Sequence, residues 1–235
     1  MICTPDTSRE HTSHCPAQLE ALFAPMPLTR GQVHRALELR IGVGPDVTMV
    51  GHIWRQRHYL QRWPCPPRTK LLHYVGDLTG VDPGSVGCAV AVTVALMSGS
   101  RSLVLRTICA ALDLHPCSVL ELVRSWRSDS LEPEVAPDLM PFALRRIVRG
   151  GNGVKSLADE WNARQLTGGL EAPARLCITH ADPGVGHDGG LYRGAGALPV
   201  GRTVNGKLGF AWALEPGLVE PLRQYAAAVT ERRAA

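Results

Sequence analysis

The alternation of apolar and polar positions between residues 70 and 126 predicts three strands. The runs KLLHYVGDL (70–78) and VGCAVAVTVALM (86–97) flank a turn rich in glycine, aspartate and proline, which is typical of an antiparallel hairpin with a long loop. The second run is apolar almost throughout, which favours a central position in a sheet. The run SVLELVRSW (118–126) predicts a third strand, in which Glu121 and Arg124 point to opposite faces.

Further strands are predicted in the second half of the chain. The run ARLCITHAD (174–182) is apolar up to its polar end and indicates a central strand. An Asn205-Gly206 pair separates ALPVGRTV from KLGFAWAL, which is the strongest short signal for a two-residue hairpin turn. The sheet is therefore expected to close with a tight hairpin.

Helices are predicted where apolar residues recur at spacings of three and four. They cover residues 29–40, 52–62, 103–114, 139–149, 152–167, 189–194 and 221–232. Asp138 suits the N-cap of the fourth helix, and Gly150-Gly151 suits its end. The order predicts an α+β fold with a mixed, mostly antiparallel central sheet flanked by helices. We expect a flexible tail over residues 1–25 and a single domain over 26–235.

Charge is unevenly distributed along the 235 residues. The net charge is +4, yet residues 26–75 carry eight basic and two acidic side chains, so that segment contributes +6 and the remainder −2. Arginine outnumbers lysine by 22 to 3, and its planar fork suits phosphate. These features favour a polyanionic partner, although arginines that merely solvate helix faces would give the same count.

Composition restricts the compartment. The seven cysteines are odd in number and contain no C-x-x-C pair, which favours reduced thiols in a cytoplasmic protein. The longest apolar run is far shorter than the roughly 20 residues that cross a bilayer. The N-terminus has no basic segment followed by an apolar one, so no secretory signal and no membrane association are predicted. Oligomeric state stays open, including a homodimer.

Groups that can handle protons are densest between residues 176 and 197. The predicted strand ends at Asp182, His187 follows a glycine, and Tyr192 lies in the next short helix. A carboxylate held at a strand end beside histidines can act as a base or a ligand, and a tyrosine can protonate a leaving thiolate. The alternatives are loop histidines bonded to backbone and a packed aromatic ring. His180 is the weaker candidate, and Cys177 is expected in the core.

Two other segments have the composition of binding surfaces. In the segment 52–63, which we call the basic aromatic segment, arginines alternate with aromatic residues that can stack on bases. Its candidate nucleic-acid contacts are Trp54, Arg55, Arg57, Tyr59, Arg62 and Trp63. The fourth helix offers an N-terminus suited to pyrophosphate together with Arg145, Arg146 and Arg149. Core contacts and ordinary surface arginines are the respective alternatives.

The predicted order of elements resembles the acyl-CoA-dependent N-acyltransferase (GNAT) superfamily, and three motifs narrow that resemblance. Together they are similar to Mom-type DNA-modification proteins of bacteriophages and cover about 150 residues. The motifs are HYLQRWP (58–64), ELVR (121–124) followed by Asp129, and THADPGVGHDGGLYRGAG (179–196).

The resemblance implies transfer of an acyl-derived unit from acetyl-CoA or a related acyl-CoA to the exocyclic amine of adenine in DNA, which shields phage or mobile-element DNA from restriction. It assigns catalytic roles to Asp182, His187, Tyr192, Arg124 and His58. Iron is a further cofactor that it suggests, with His58, Asp182 and His187 as conceivable ligands.

Two alternatives stay open at this point. One is a GNAT transferase acting on a small amine, a peptide or tRNA. The other is a non-catalytic nucleic-acid-binding protein on a degenerate transferase fold. The second is allowed because the loop before the fourth helix reads EPEVAPDLMPF, whereas the relatives carry an asparagine and a serine there.

Overall fold

The strands of the chain form one mixed sheet. The computed structural model describes residues 39–42, 69–77, 87–96, 103–127, 139–151, 155–165 and 172–234. The described strands are β1 (Leu39–Gly42), β2 (Thr69–Asp77), β3 (Gly87–Leu96), β4 (Val119–Arg127), β5 (Leu176–Ala181), β6 (Leu198–Arg202) and β7 (Leu208–Ala213). Their order is β1-β2-β3-β4-β5-β7-β6, and the neighbours pair antiparallel except for the parallel pair β4 and β5. The predicted β2–β3 hairpin and the closing hairpin are confirmed.

Helices connect the strands and cover the sheet. They are α1 (Leu103–Leu112), α2 (Leu139–Arg149), α3 (Leu157–Gln165), α4 (Gly190–Gly194) and α5 (Val219–Ala234). Helix α2 ends where Gly150 and Gly151 adopt φ angles of 71° and 106°, which other residues rarely reach. These elements confirm the predicted helices from residue 103 onward and the α+β class.

Alternation along β5 separates two hydrophobic clusters. Cys177 packs on one face of the sheet with the buried residues of α2 and α3, and we call this the α2 face. Leu176 and Ile178 pack on the other face with buried residues of α1 and α5, and we call this the α1 face. Because successive side chains of a strand point to opposite faces, β5 is buried on both sides and lies in the middle of the fold.

The prediction of a helix over residues 29–40 is wrong at its end. Leu39 and Arg40 belong to β1, where Leu39 lies opposite Val75 and Gly42 lies opposite Leu72 of β2. Pairing with a long strand supplies backbone hydrogen bonds that outweigh a modest helix preference. The rest of that prediction, the helix over 52–62, the tail over 1–25 and the Asp138 cap lie outside the described residues.

Candidate functional site

Strands β4 and β5 begin side by side and then separate. They pair over three positions only, Val119 with Leu176, Leu120 with Cys177 and Glu121 with Ile178. Both strands continue beyond this point, so their carboxyl ends diverge. We call the diverging part, Leu122–Arg127 with Thr179–Ala181, the fork.

A side chain bridges the base of the fork. The Thr179 hydroxyl donates a hydrogen bond to the carbonyl oxygen of Leu122 at 3.1 Å, and Thr179 is buried. This carbonyl lies immediately beyond the last paired position of β4. The threonine therefore takes the place of a ladder hydrogen bond at the position where the strands part.

An irregularity in β4 changes the expected direction of its side chains. Thr93 of β3 lies opposite Arg124, whereas the next residue, Val94, lies opposite Leu122, so Val123 is an extra residue in β4. A bulge of this kind interrupts strict alternation. The premise that Glu121 and Arg124 must point to opposite faces is therefore wrong. The side chain of Arg124 lies outside the described part of the chain, and its catalytic role stays a prediction.

Glu121 and His180 approach each other across the base of the fork. His180 Nδ1 lies 3.8 Å from Glu121 Oε1, and the two side chains are 16% and 29% exposed. His180 Nε2 is buried and has no hydrogen-bond partner among the described residues. The sequence ranked His180 below the other candidates, yet the structure gives it an acidic neighbour and an uncommitted nitrogen.

Asp182 is held at the strand end as predicted, but its oxygens are engaged. Oδ1 accepts a hydrogen bond from the Gly184 N–H at 3.0 Å, and Oδ2 lies 3.2 Å from Lys207 Nζ. The hydrogen bond from Lys207 is the main reason why the pKa of the Asp182 carboxyl lies below its usual range; the Gly184 N–H acts in the same direction, and partial burial opposes it. This carboxylate is consequently a weaker proton acceptor than an ordinary aspartate.

His187 lies in the turn that Asp182 organises. The His187 N–H donates to the Asp182 carbonyl oxygen at 3.1 Å, after Gly186 has turned the chain with a φ of 83°. The His187 side chain is exposed, and its charge contributes to the lowered pKa of Asp182. The two predicted catalytic residues are therefore neighbours in space.

Tyr192 lies against an aromatic cluster. Its ring centroid is 5.6 Å from that of Phe210 and 6.1 Å from that of Trp212, and the residue is half-buried. Gly189, at the start of α4, has a φ of 83°, and a Cβ built on it would lie 2.1 Å from a Phe210 ring atom. The packed-aromatic alternative for Tyr192 is thus confirmed as a structural role, which leaves its catalytic role a prediction.

The three arginines of α2 lie in its carboxyl-terminal half. Arg146 and Arg149 belong to the last turn, about 10 and 15 Å along the axis from the first residue at a rise of 1.5 Å per residue. Arg146 lies over the Phe142 ring at 5.9 Å, and an Arg149 nitrogen would lie 3.3 Å from a Cβ built on Gly196. These positions suit the negative end of the helix dipole and do not support one pyrophosphate site shared with the helix N-terminus.

Sequence reasoning missed the partners of the site residues. Lys207 follows the Asn205-Gly206 turn, and the pairing of Ala181 with Leu208 between β5 and β7 brings it beside Asp182. No local pattern marks a lone lysine after a turn as the partner of an aspartate 25 residues earlier. Cys177, by contrast, is in the core as predicted, and burial raises the pKa of its thiol to about 12.

Several predictions fall on residues that the structure does not describe. His58 and the basic aromatic segment are among them, so the proposed contacts with nucleic acid stay predictions. Within the described ranges, no three His, Cys, Asp or Glu side chains converge to hold a metal ion, which gives the suggested iron no support there. No helix in those ranges is both long enough and apolar enough to span a membrane. Comparison with models of known protein families and with curated proteins found no match to this chain.

Proposed function

We propose that the protein is a GNAT-type transferase that moves an acyl-derived group from a coenzyme A thioester to the exocyclic amine of adenine in DNA. The observation that carries this proposal is the fork. A mixed sheet in which the only described parallel pair opens after three positions matches the splayed strand pair expected from the sequence resemblance.

The fork suits an extended ligand that carries amide groups. Where two strands separate, an extended chain can pair with their backbone groups as an added strand would. The pantetheine arm of coenzyme A is such a chain. The backbone at the fork would then orient the arm and polarise the thioester carbonyl.

Helix α2 lies where its amino end can contribute to the same site. It follows β4 in the crossover to the parallel strand β5, so it runs back from the open end of the fork. Pro141, in its first turn, would lie 3.5 Å from a Cβ built on Gly194 of α4, the helix that follows β5. The N–H groups at this end offer positive potential to a phosphate.

The predicted catalytic residues have distinct parts in this proposal. Asp182, tied to Lys207, fixes the turn that presents His187. His187 orients the incoming amine, and Tyr192 donates a proton to the leaving thiolate. Arg124 at the fork and His58 complete the predicted set.

DNA as acceptor rests on the three sequence motifs and on the charge of residues 26–75. The exocyclic amine of adenine is inaccessible inside a duplex, so the base must flip out of the stack. Aromatic residues of the basic aromatic segment would stack on exposed bases, while its arginines would contact phosphates.

Nucleoside analysis of a bacterial host tests the proposal. The protein is expressed, the host DNA is digested to nucleosides, and the products are separated by mass. We expect a new adenine nucleoside that is missing from cells with the empty vector. A matched variant, Tyr192→Phe, keeps the ring packed on Phe210 and Trp212 and should lower the yield. A wild-type profile identical to that of the empty vector contradicts the proposal.

Acetyl-CoA binding separates an enzyme from an inert nucleic-acid binder. A ligand at one hundred times its Kd stabilises the folded state by about 2.7 kcal/mol. For a chain of this size that corresponds to a rise in Tm of about 5 to 10 °C. An unchanged Tm at millimolar acetyl-CoA, with DNA binding retained, would favour the non-catalytic alternative.

A further inference from the structure

We infer that Glu121 and His180 form the proton-accepting pair of the transfer reaction, with His180 as the base and Glu121 as the residue that positions it. The inference rests on the proposed function and deepens it. It moves proton transfer away from Asp182, the residue that the sequence favoured for that task.

Both side chains project from the α1 face of the sheet. In β5, His180 is two residues beyond Ile178, and in β4, Glu121 is two residues beyond Val119. Ile178 and Val119 both pack in the cluster on the α1 face, so alternation puts His180 and Glu121 on that side. Helix α2, which would bind the coenzyme A phosphates, covers the opposite face. The acceptor amine can therefore approach from the α1 face while the thioester lies in the fork.

The neighbour of His180 on β7 offers no competing group. His180 lies opposite Gly209, and a Cβ built on that glycine would lie 3.2 Å from Val104 of α1. The position thus has no side chain beyond the backbone, and an apolar valine covers it. Among the described residues, Glu121 is the only ion-pair partner of His180.

The two nitrogens of His180 have different environments. Nδ1 faces the carboxylate, which favours a proton on that nitrogen and leaves a lone pair on Nε2. Nε2 is buried without a described partner. A buried polar atom without a partner is uncommon in proteins and calls for an explanation, of which a catalytic role is one. A base shielded from water and oriented by a carboxylate follows the same logic as the histidine of a hydrolase triad.

Asp182 is a poorer candidate for the same task. Its carboxylate is bound to Lys207 and to the Gly184 N–H, and its pKa is lowered as described above. A carboxylate stabilised in its charged form gives up part of its tendency to take a proton. Its geometry serves the turn before His187 instead.

The chemical step balances without an additional reactant. The amine nitrogen of adenine bonds to the thioester carbonyl carbon, and the carbon–sulfur bond breaks. His180 Nε2 takes one proton from the nitrogen, and the thiolate leaves with the electron pair of the broken bond. A proton returns to that sulfur, so the products are the N-acylated adenine and free coenzyme A. An aromatic amine is a weak nucleophile, and a positioned base lowers this barrier.

The test is DNA-dependent release of coenzyme A from acetyl-CoA, measured for purified wild type, His180→Gln and His180→Ala. We expect kcat to fall by about 10²- to 10⁴-fold in both variants, which is the usual contribution of a positioned base. The rise in Tm on adding acetyl-CoA should be unchanged. Glu121→Gln should lower kcat by a smaller factor, again with acetyl-CoA binding retained.

Chemical rescue distinguishes a base from a structural residue. Added imidazoles should restore turnover to His180→Ala, and the restored rate should increase with their basicity. A side chain that only fills space gives no such dependence. The matched control is His115→Gln, which changes an exposed histidine at the opposite end of β4 and should leave turnover unchanged.

The outcomes separate the inference from the proposed function. Wild-type turnover together with unimpaired turnover of His180→Gln overturns the inference alone. Rescue of His180→Ala that is independent of basicity does the same. If wild type binds no acetyl-CoA and releases no coenzyme A, the proposed function fails and the inference falls with it.

Discussion

Gly189→Ala should destabilise the fold more than the same substitution at Gly186. Both glycines have a φ of 83°, so an alanine at either position costs about 1 to 2 kcal/mol of backbone strain. Their surroundings differ. A Cβ on Gly189 would lie 2.1 and 2.3 Å from two ring atoms of Phe210, whereas a Cβ on Gly186 would meet nothing within 4 Å.

The clash determines the size of the difference. Phe210 is 1% exposed and cannot move into solvent, so the alanine forces the core to shift. Overpacking of this kind costs about 1 to 3 kcal/mol. We therefore expect a loss of about 1 to 2 kcal/mol for Gly186→Ala and about 2 to 5 kcal/mol for Gly189→Ala.

Urea denaturation of the three proteins measures these values. The midpoint should fall in both variants with an unchanged slope, and further in Gly189→Ala. Phe210→Leu, which removes part of the ring, should relieve some of the Gly189→Ala cost in a double-mutant cycle. Equal losses at the two glycines, or strict additivity with Phe210→Leu, would refute the claim that contact with the ring fixes glycine at position 189.

Three further predictions concern charge, thiols and DNA. Lys207→Gln should raise the pKa of Asp182 in an NMR titration; because the folded-state pKa is lowered, the stability lost in the variant should be present above the ordinary value of 3.8 and should vanish as the pH falls below the folded-state pKa. Iodoacetamide should label the exposed Cys117 in the native protein and leave Cys177 unlabelled until denaturant is added, since burial suppresses the thiolate of Cys177; peptide mapping with native labelling of Cys177 would contradict this. Charge reversal of the three arginines in the basic aromatic segment should weaken DNA binding and reduce the salt dependence by about 0.9 per lost phosphate contact, whereas unchanged binding would exclude that segment from the interface.

Local patterns predicted the elements well because each element depends on residues close in sequence. The apolar spacing of α2 and its two terminal glycines defined that helix, and the Asn205-Gly206 pair defined the closing hairpin. The exception was Leu39 in β1, whose state depends on pairing with a strand more than 25 residues later. Tertiary pairing overrides weak local preference in such cases.

The arrangement of the site was less predictable, because it depends on register between distant strands. Asp182 and His187 are close in sequence and lie together as expected. The approach of Glu121 to His180 depends on three paired positions across a long crossover, which no local signal encodes. The extra residue at Val123 likewise results from pairing with β3.

Hydrogen exchange in the presence of acetyl-CoA tests the central claim, that the fork is the acyl-CoA site. Peptides covering Leu122–Arg127 and Thr179–Ala181 are compared with and without saturating acetyl-CoA, with α5 as an internal reference on the opposite face from α2. The account predicts slower exchange in both fork peptides and no change in α5. Unchanged exchange at the fork, or protection confined to another part of the chain, would contradict it.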